Sequence, residues 1–144
     1  MAERSIPAES RRFFEAAAAL ILKRLRPSRR PRPTVDVRFL PNADLRRLKK
    51  HYLKKDAAFV NVLSFPEPAR FPHPDRPGHL GEICLNRAYV RPSRRAEGLQ
   101  MLVHGVLHLL GYRHDRKRDT IRMERLEERL LKEWQKTVRP VRRR

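Results

Sequence analysis

One cysteine, Cys84, is the only thiol in 144 residues. That excludes an internal disulfide framework and points to a reducing cytoplasm, so Cys84 is expected to be a small core residue and no disulfide-linked partner is expected. No apolar run approaches the ~20 residues needed to span a bilayer, and the opening MAERSIPAES lacks the apolar segment of a secretory signal. No membrane association is therefore expected. Internal repeats are absent. Carboxylates are scarce: 16 acidic residues face 35 lysines and arginines, a formal net charge of +19 with a sequence pI near 11.5. A field of that sign gathers polyanions, although a solvated basic surface without catalysis would carry the same charge.

Half of the six histidines lie in the run His104 to His114, HGVLHLLGYRH. At ~100° per helical residue, His104 and His108 stand about 40° apart and one turn above each other, so both imidazoles can reach one ion. Gly111 falls where a helix commonly ends in a left-handed residue, which turns the chain so that His114 approaches the same point. Leu99, Val103, Val106, Leu107 and Leu110 form an apolar stripe beside the two helix histidines. Two packed histidines and one exposed one are the bland reading; three at this spacing with glycine at the turn favour a metal. Three imidazoles with one open position suit catalytic zinc, one per chain, with nickel, cobalt or copper conceivable by ligand type.

The run also lacks something. Its spacing is that of the metzincin pattern H-E-x-x-H-x-x-G-x-x-H, but Gly105 stands where those proteases carry their general base. A protease reading weakens accordingly. A metal lowers the pKa of bound water to about 7 and polarises a phosphoryl oxygen without that carboxylate.

In chain order, Pro7 is placed in the first turn of a helix to about Leu25, with Phe14, Ala18, Ile21 and Leu25 on one face. A basic linker near 27–33 holds three prolines and three arginines. Val35, Val37 and Phe39 alternate with polar residues as in a strand. Asn42 is the expected cap of a helix that turns Leu45, Leu48 and Tyr52 inward, with His51 a polar position on it. Val60 to Phe65 reads as a second strand closed by Pro66, and Ser64 as a strand residue satisfying its neighbours, with substrate contact as the alternative. The proline-rich loop from Pro66 to Pro77 includes His73, a remote candidate for a fourth ligand. Leu80 to Asn86 reads as a third strand with Ile83 and Leu85 on one face. Ser93 is the expected cap of the histidine helix; Arg94 and Arg95 in its first turn oppose the helix dipole, a hint that they meet an anion. Asp119 is the expected cap of a last helix with Met123, Leu126, Leu130 and Trp134 as its seam. The tail near 137–144 is too charged to pack and is expected to be disordered in isolation. One domain over 1–144 is expected at this length.

Two motifs, HGVLHLLGYRH at His104 to His114 and NVLSFP at Asn61 to Pro66, followed by the strand at Gly81-Glu82-Ile83, make the chain resemble the YbeY family of metal-dependent endoribonucleases of ribosomal RNA maturation. The resemblance covers most of the chain except the basic ends. It implies an α+β fold, a small mixed β-sheet with helices packed on it, and the metal in a cleft on a helix and the turn after it. It also implies zinc on His104, His108 and His114, RNA in the cleft, and ribosomal RNA and the small ribosomal subunit as partners. Many members carry arginine after the aromatic residue preceding the second strand; here Tyr52 is followed by Leu53, leaving Lys54 and Lys55 to supply a phosphate-holding cation. An aspartate often precedes the third histidine; here that position is Arg113, with Asp115 on the far side.

The expected function is a metal-dependent endoribonuclease acting on single-stranded RNA. His104, His108 and His114 hold the metal, Lys54 and Lys55 are candidates for the phosphate, and Arg94 and Arg95 for further RNA contacts. The alternative is a ribosome-binding assembly factor with structural zinc and little turnover.

Overall fold

A computed structural model describes residues 6–68, 76–112 and 117–137. The four residues 113–116 containing His114, the loop residues 69–75 containing His73, and the tail beyond 137 lie outside them. Among the described residues four α-helices pack on a three-stranded sheet: α1 (Ala8–Leu25), β1 (Thr34–Leu40), α2 (Asn42–Leu53), β2 (Val62–Pro66), β3 (His79–Asn86), α3 (Arg95–Leu109) and α4 (Lys117–Thr137). The sheet order is β1-β3-β2, with β1 parallel and β2 antiparallel to the central β3. This is the mixed sheet of an α+β fold. No helix among the described residues is long and apolar enough to cross a membrane.

Alternation along the strands decides what each sheet face meets. Val37, Phe39, Ile83 and Leu85 point to one side, into a core shared with Phe14, Ala18 and Ile21 of α1, Leu102 and Val106 of α3, and Met123, Leu130 and Trp134 of α4. Leu40, Leu63 and Cys84 point to the other side, where Leu45 of α2 and Val60 cover them. Both faces of the central strand are thus dry, and Cys84 is the small buried residue expected from its neighbours. Phe14 reaches across to Phe39 edge-on, ring centroids 5.2 Å apart. Each such fully buried side chain contributes roughly 1.5–3 kcal/mol of transfer free energy.

Several expected boundaries move, each for a visible reason. β2 starts at Val62 rather than Val60 because side-chain amides take the Val60 backbone: its N–H donates to Asn42 Oδ1 at 2.9 Å, and its carbonyl accepts from Asn86 Nδ2 at 3.0 Å. Asn42 is accordingly a brace rather than a cap; Pro41 precedes the helix, and Asn42 Nδ2 donates to the Ala58 carbonyl. Ser93 lies inside a 3₁₀ turn, Pro92–Arg94, and α3 begins after it without a side-chain cap. Asp119 falls within α4, which already starts at Lys117. Tyr52 does not face inward but is 61 % exposed. It lies near the end of the short α2, with its ring edge-on to Phe65 of β2 at 5.5 Å.

Candidate metal centre

Helix α3 carries the two histidines because its own body is nearly all apolar. Leu99, Leu102, Val103, Val106 and Leu107 are buried, leaving a narrow flank on which His104 and His108 stay half-buried. The two Nε2 atoms are 2.9 Å apart and the ring planes cross at 71°. Two imidazole nitrogens on one tetrahedral zinc, each 2.0–2.1 Å from the ion, would lie roughly 3.3 Å apart. The pair therefore converges on one point to within a few tenths of an ångström of the spacing an ion needs.

The second nitrogen of His104 has its own partner. Nδ1 lies 3.0 Å from Glu127 Oε1, and the Glu127 side chain is only 12 % exposed. An ionised carboxylate only accepts, so Nδ1 must donate, and the lone pair of the neutral ring is then on Nε2, the atom facing His108. Histidine metal ligands are oriented in this way, and the donor set fits a divalent metal of the zinc type. Glu127 was not singled out in the sequence. The available signal was an acid one turn beyond Met123, on the buried side of α4.

Gly105 explains why no protease-type glutamate follows the first histidine. A Cβ built there would lie 3.0 Å from Ile83 Cγ2, 3.1 Å from Ser64 Oγ and 3.4 Å from Val62 Cγ2. This is where α3 presses on β2 and β3, so the position faces the sheet. The Ser64 hydroxyl donates to the Gly105 carbonyl at 3.2 Å, which ties the strand of one motif to the helix of the other.

The helix ends as its sequence predicts. Gly111 has φ +99°, its N–H donates to the His108 carbonyl, and the Tyr112 N–H donates to the Leu107 carbonyl, both at 3.0 Å. These are the two hydrogen bonds of a Schellman closure, which satisfies carbonyls that a helix end would otherwise leave unpaired. No atom lies within 4 Å of a Cβ built on Gly111, so the backbone angle and not space calls for glycine. The chain leaves this turn toward the segment holding His114, which lies outside the described residues. Among the described residues no group of three His, Cys, Asp or Glu side chains forms a metal site.

The other candidates are dispersed. Lys54 sits at the end of α2 with φ 55°, and its ammonium donates to the His51 carbonyl at 2.8 Å; Lys55 follows, exposed. Arg94 forms two hydrogen bonds to Glu97, at 3.1 and 3.5 Å, while its guanidinium lies over the Tyr89 ring, 5.0 Å from the centroid. Arg95 makes two contacts of 3.2 Å to Glu9 and lies over Phe13. Within the chain, then, the anions these two arginines meet are carboxylates. His51 is on α2, edge-on to Tyr52.

The curated proteins similar to this chain include an endoribonuclease YbeY of Chelativorans sp. (strain BNC1), 34 % identical over 105 residues, or 68 % of this chain and 64 % of that protein. The endoribonuclease YbeY of Alcanivorax borkumensis is 38 % identical over 108 residues, 69 % of this chain and 61 % of its own. That of Myxococcus xanthus is 42 % identical over 100 residues, 62 % of this chain and 32 % of its own. The chain thus spans less than two thirds of the length of these relatives. A solution structure of a Thermotoga maritima protein, TM1509, aligns over 94 % of this chain and 93 % of its own at 20 % identity and a TM-score of 0.47. The family model described as endoribonuclease YbeY matches residues 2–135, and with nearly the whole chain inside that match, this protein belongs to the YbeY family.

Proposed function

We propose that this protein is a zinc-dependent endoribonuclease that cleaves single-stranded RNA in ribosomal RNA maturation, working in the cytoplasm on or near the small ribosomal subunit. The observation that carries the reading is the meeting of His104 and His108 at 2.9 Å, with Glu127 holding the far nitrogen of the first ring. His104 and His108, completed by His114, would hold the metal. Bound there, a zinc ion would supply Lewis acidity toward a phosphoryl oxygen or lower the pKa of a water molecule toward neutrality. Glu127 keeps the His104 ring in one tautomer and one orientation. Ser64 and Gly105 fix the height of the helix above the sheet, and so the position of both rings. Lys54 and Lys55 are the cations proposed to hold substrate phosphate, as point charges rather than forks. The excess of 19 positive charges draws RNA to the surface.

The test is to quantify metal in the purified protein and follow cleavage of single-stranded and structured ribosomal RNA before and after chelation. One zinc per chain, loss of cleavage with chelator, recovery on adding zinc, and an inactive His108→Ala variant are the expected results. Zinc-loaded wild-type protein that leaves every RNA intact would overturn the proposal.

A further inference from the structure

Helix α4 has two unlike sides. One carries Met123, Leu130 and Trp134 into the core and Glu127 to His104. The other carries Lys117, Arg118, Arg122, Arg125 and Arg129, all exposed, along an open groove of about 770 Å³ that also takes in Tyr112. Arg118, Arg122, Arg125 and Arg129 follow the three- and four-residue spacing of a single helix face and cover about 17 Å of axis at ~1.5 Å per residue.

Part of the molecule's positive charge is tied up in ion pairs. Arg24, Arg38, Arg46, Arg76, Arg94 and Arg95 each have a carboxylate partner. Among the described residues none of the five groove cations does. The groove also offers apolar surface: the Arg122 guanidinium lies 6.0 Å from the centroid of the Tyr112 ring, and Ile121 beside it is 41 % exposed. A row of guanidinium groups with no carboxylate partner among the described residues, beside an aromatic ring, is the chemistry that tracks a single-stranded nucleic acid, with cations on its phosphates and a ring under a base. Tyr112 and Lys117 also bracket in sequence the four residues that include His114.

We infer that the outward face of α4 is an RNA-docking groove, separate from the histidine pair, that anchors a strand by its phosphate backbone without reading its sequence. The inference rests on the proposed ribonuclease function and adds a second contact region to it. An RNA long enough to lie on α4 while its scissile bond is at the histidines gains affinity that a short oligonucleotide does not.

The experiment compares wild type, Arg118→Gln/Arg122→Gln/Arg129→Gln, and a control of equal charge change on exposed residues elsewhere, Arg12→Gln/Arg29→Gln/Lys50→Gln. Binding of a long single-stranded RNA and of a short oligonucleotide is titrated across salt concentration on zinc-loaded protein, and thermal melting and bound zinc confirm that each variant is folded and loaded. At ~0.7 counterions released per phosphate contact on single strands, the groove variant should flatten the log–log salt slope for long RNA by about 2 and weaken binding about tenfold or more near 0.1 M salt. Short-oligonucleotide binding and the control variant should stay close to wild type. Wild-type slope and affinity in the groove variant, or an equal loss in the control, would overturn the groove while leaving the ribonuclease intact. Wild-type protein that neither binds nor cleaves RNA would overturn the proposed function, and the groove with it.

Discussion

His104 and Glu127 are 23 positions apart in sequence and 3.0 Å apart in space, so the last helix sets the ring of a residue on the one before it. Replacing Glu127 by Gln keeps the shape but lets the amide offer either oxygen or nitrogen to Nδ1, weakening the hold on tautomer and basicity. Zinc affinity, measured by competition with a chromophoric chelator, should fall about 10–100-fold, as is usual when the partner of a ligand histidine is lost. The melting temperature without metal should change little. Unchanged affinity would mean that the carboxylate has no part in the centre.

Gly105 is the point of closest approach between α3 and the sheet. Gly105→Ala forces a methyl against Ile83 and Ser64 at 3.0 and 3.1 Å, and overpacking of this kind typically costs about 1–3 kcal/mol. Denaturant titration should show that loss. Gly105→Glu, which restores the protease pattern on paper, should unfold the protein or displace the helix rather than create peptidase activity.

Asn86 is 2 % exposed, and its amide serves three groups: Nδ2 donates to the Val60 carbonyl and to Asn42 Oδ1, while Oδ1 accepts from the Ala88 N–H. Asn86→Leu is nearly isosteric but strips the Val60 carbonyl and the Ala88 N–H of this partner, while Asn42 Oδ1 keeps the Val60 N–H. Buried groups left in this state cost about 1–3 kcal/mol each. Equilibrium unfolding should show a loss at the top of the range for point mutants, with the β2 side of the sheet affected first in hydrogen exchange.

Asp36 gives the fold an acid limit. The hydrogen bonds from Arg76 hold its carboxyl below the ordinary 3.8; burial opposes them, and the charges of Arg76, His79 and Arg38 each add a lesser lowering. Because the folded value is the lower one, the contribution to stability is complete above the unfolded value and disappears as pH falls through the folded one. The side chain is 42 % exposed, so solvent screening keeps the effect small. Wild type and Asp36→Asn should differ in stability at neutral pH and converge well below pH 3.8.

The strands and helices were legible in the sequence wherever period decided the outcome. Val37 and Phe39 against Ile83 and Leu85, and the run from Leu99 to Leu107, are patterns with one physical solution each. Gly111 was legible for the same reason, since only a left-handed residue lets the last carbonyls of α3 close on themselves. Boundaries set by long-range hydrogen bonds were not legible. Asn42 has the chemistry of a helix cap, and nothing local says that its amide will instead brace Val60 and Asn86. Arg94 and Arg95 looked like cations awaiting an anion, but Glu9 lies 86 positions away from Arg95. At the site, spacing alone brought His104 and His108 together, whereas Glu127 depended on how α4 packs across α3, which no spacing within one helix encodes.

The sheet order carries a consequence for how the protein acquires its shape. β3 pairs with β2 through a nearby reversal, but β1 must wait for it, since the Thr34 and His79 side chains that meet at 3.4 Å are 45 positions apart. Long loops close at greater entropic cost, so the antiparallel hairpin is expected to assemble early and the parallel strand to join it afterwards. Substitutions in β1 should then accelerate unfolding far more than they slow refolding. A nascent chain in which residue 79 is still inside the ribosome would hold its first strand without a neighbour to pair with.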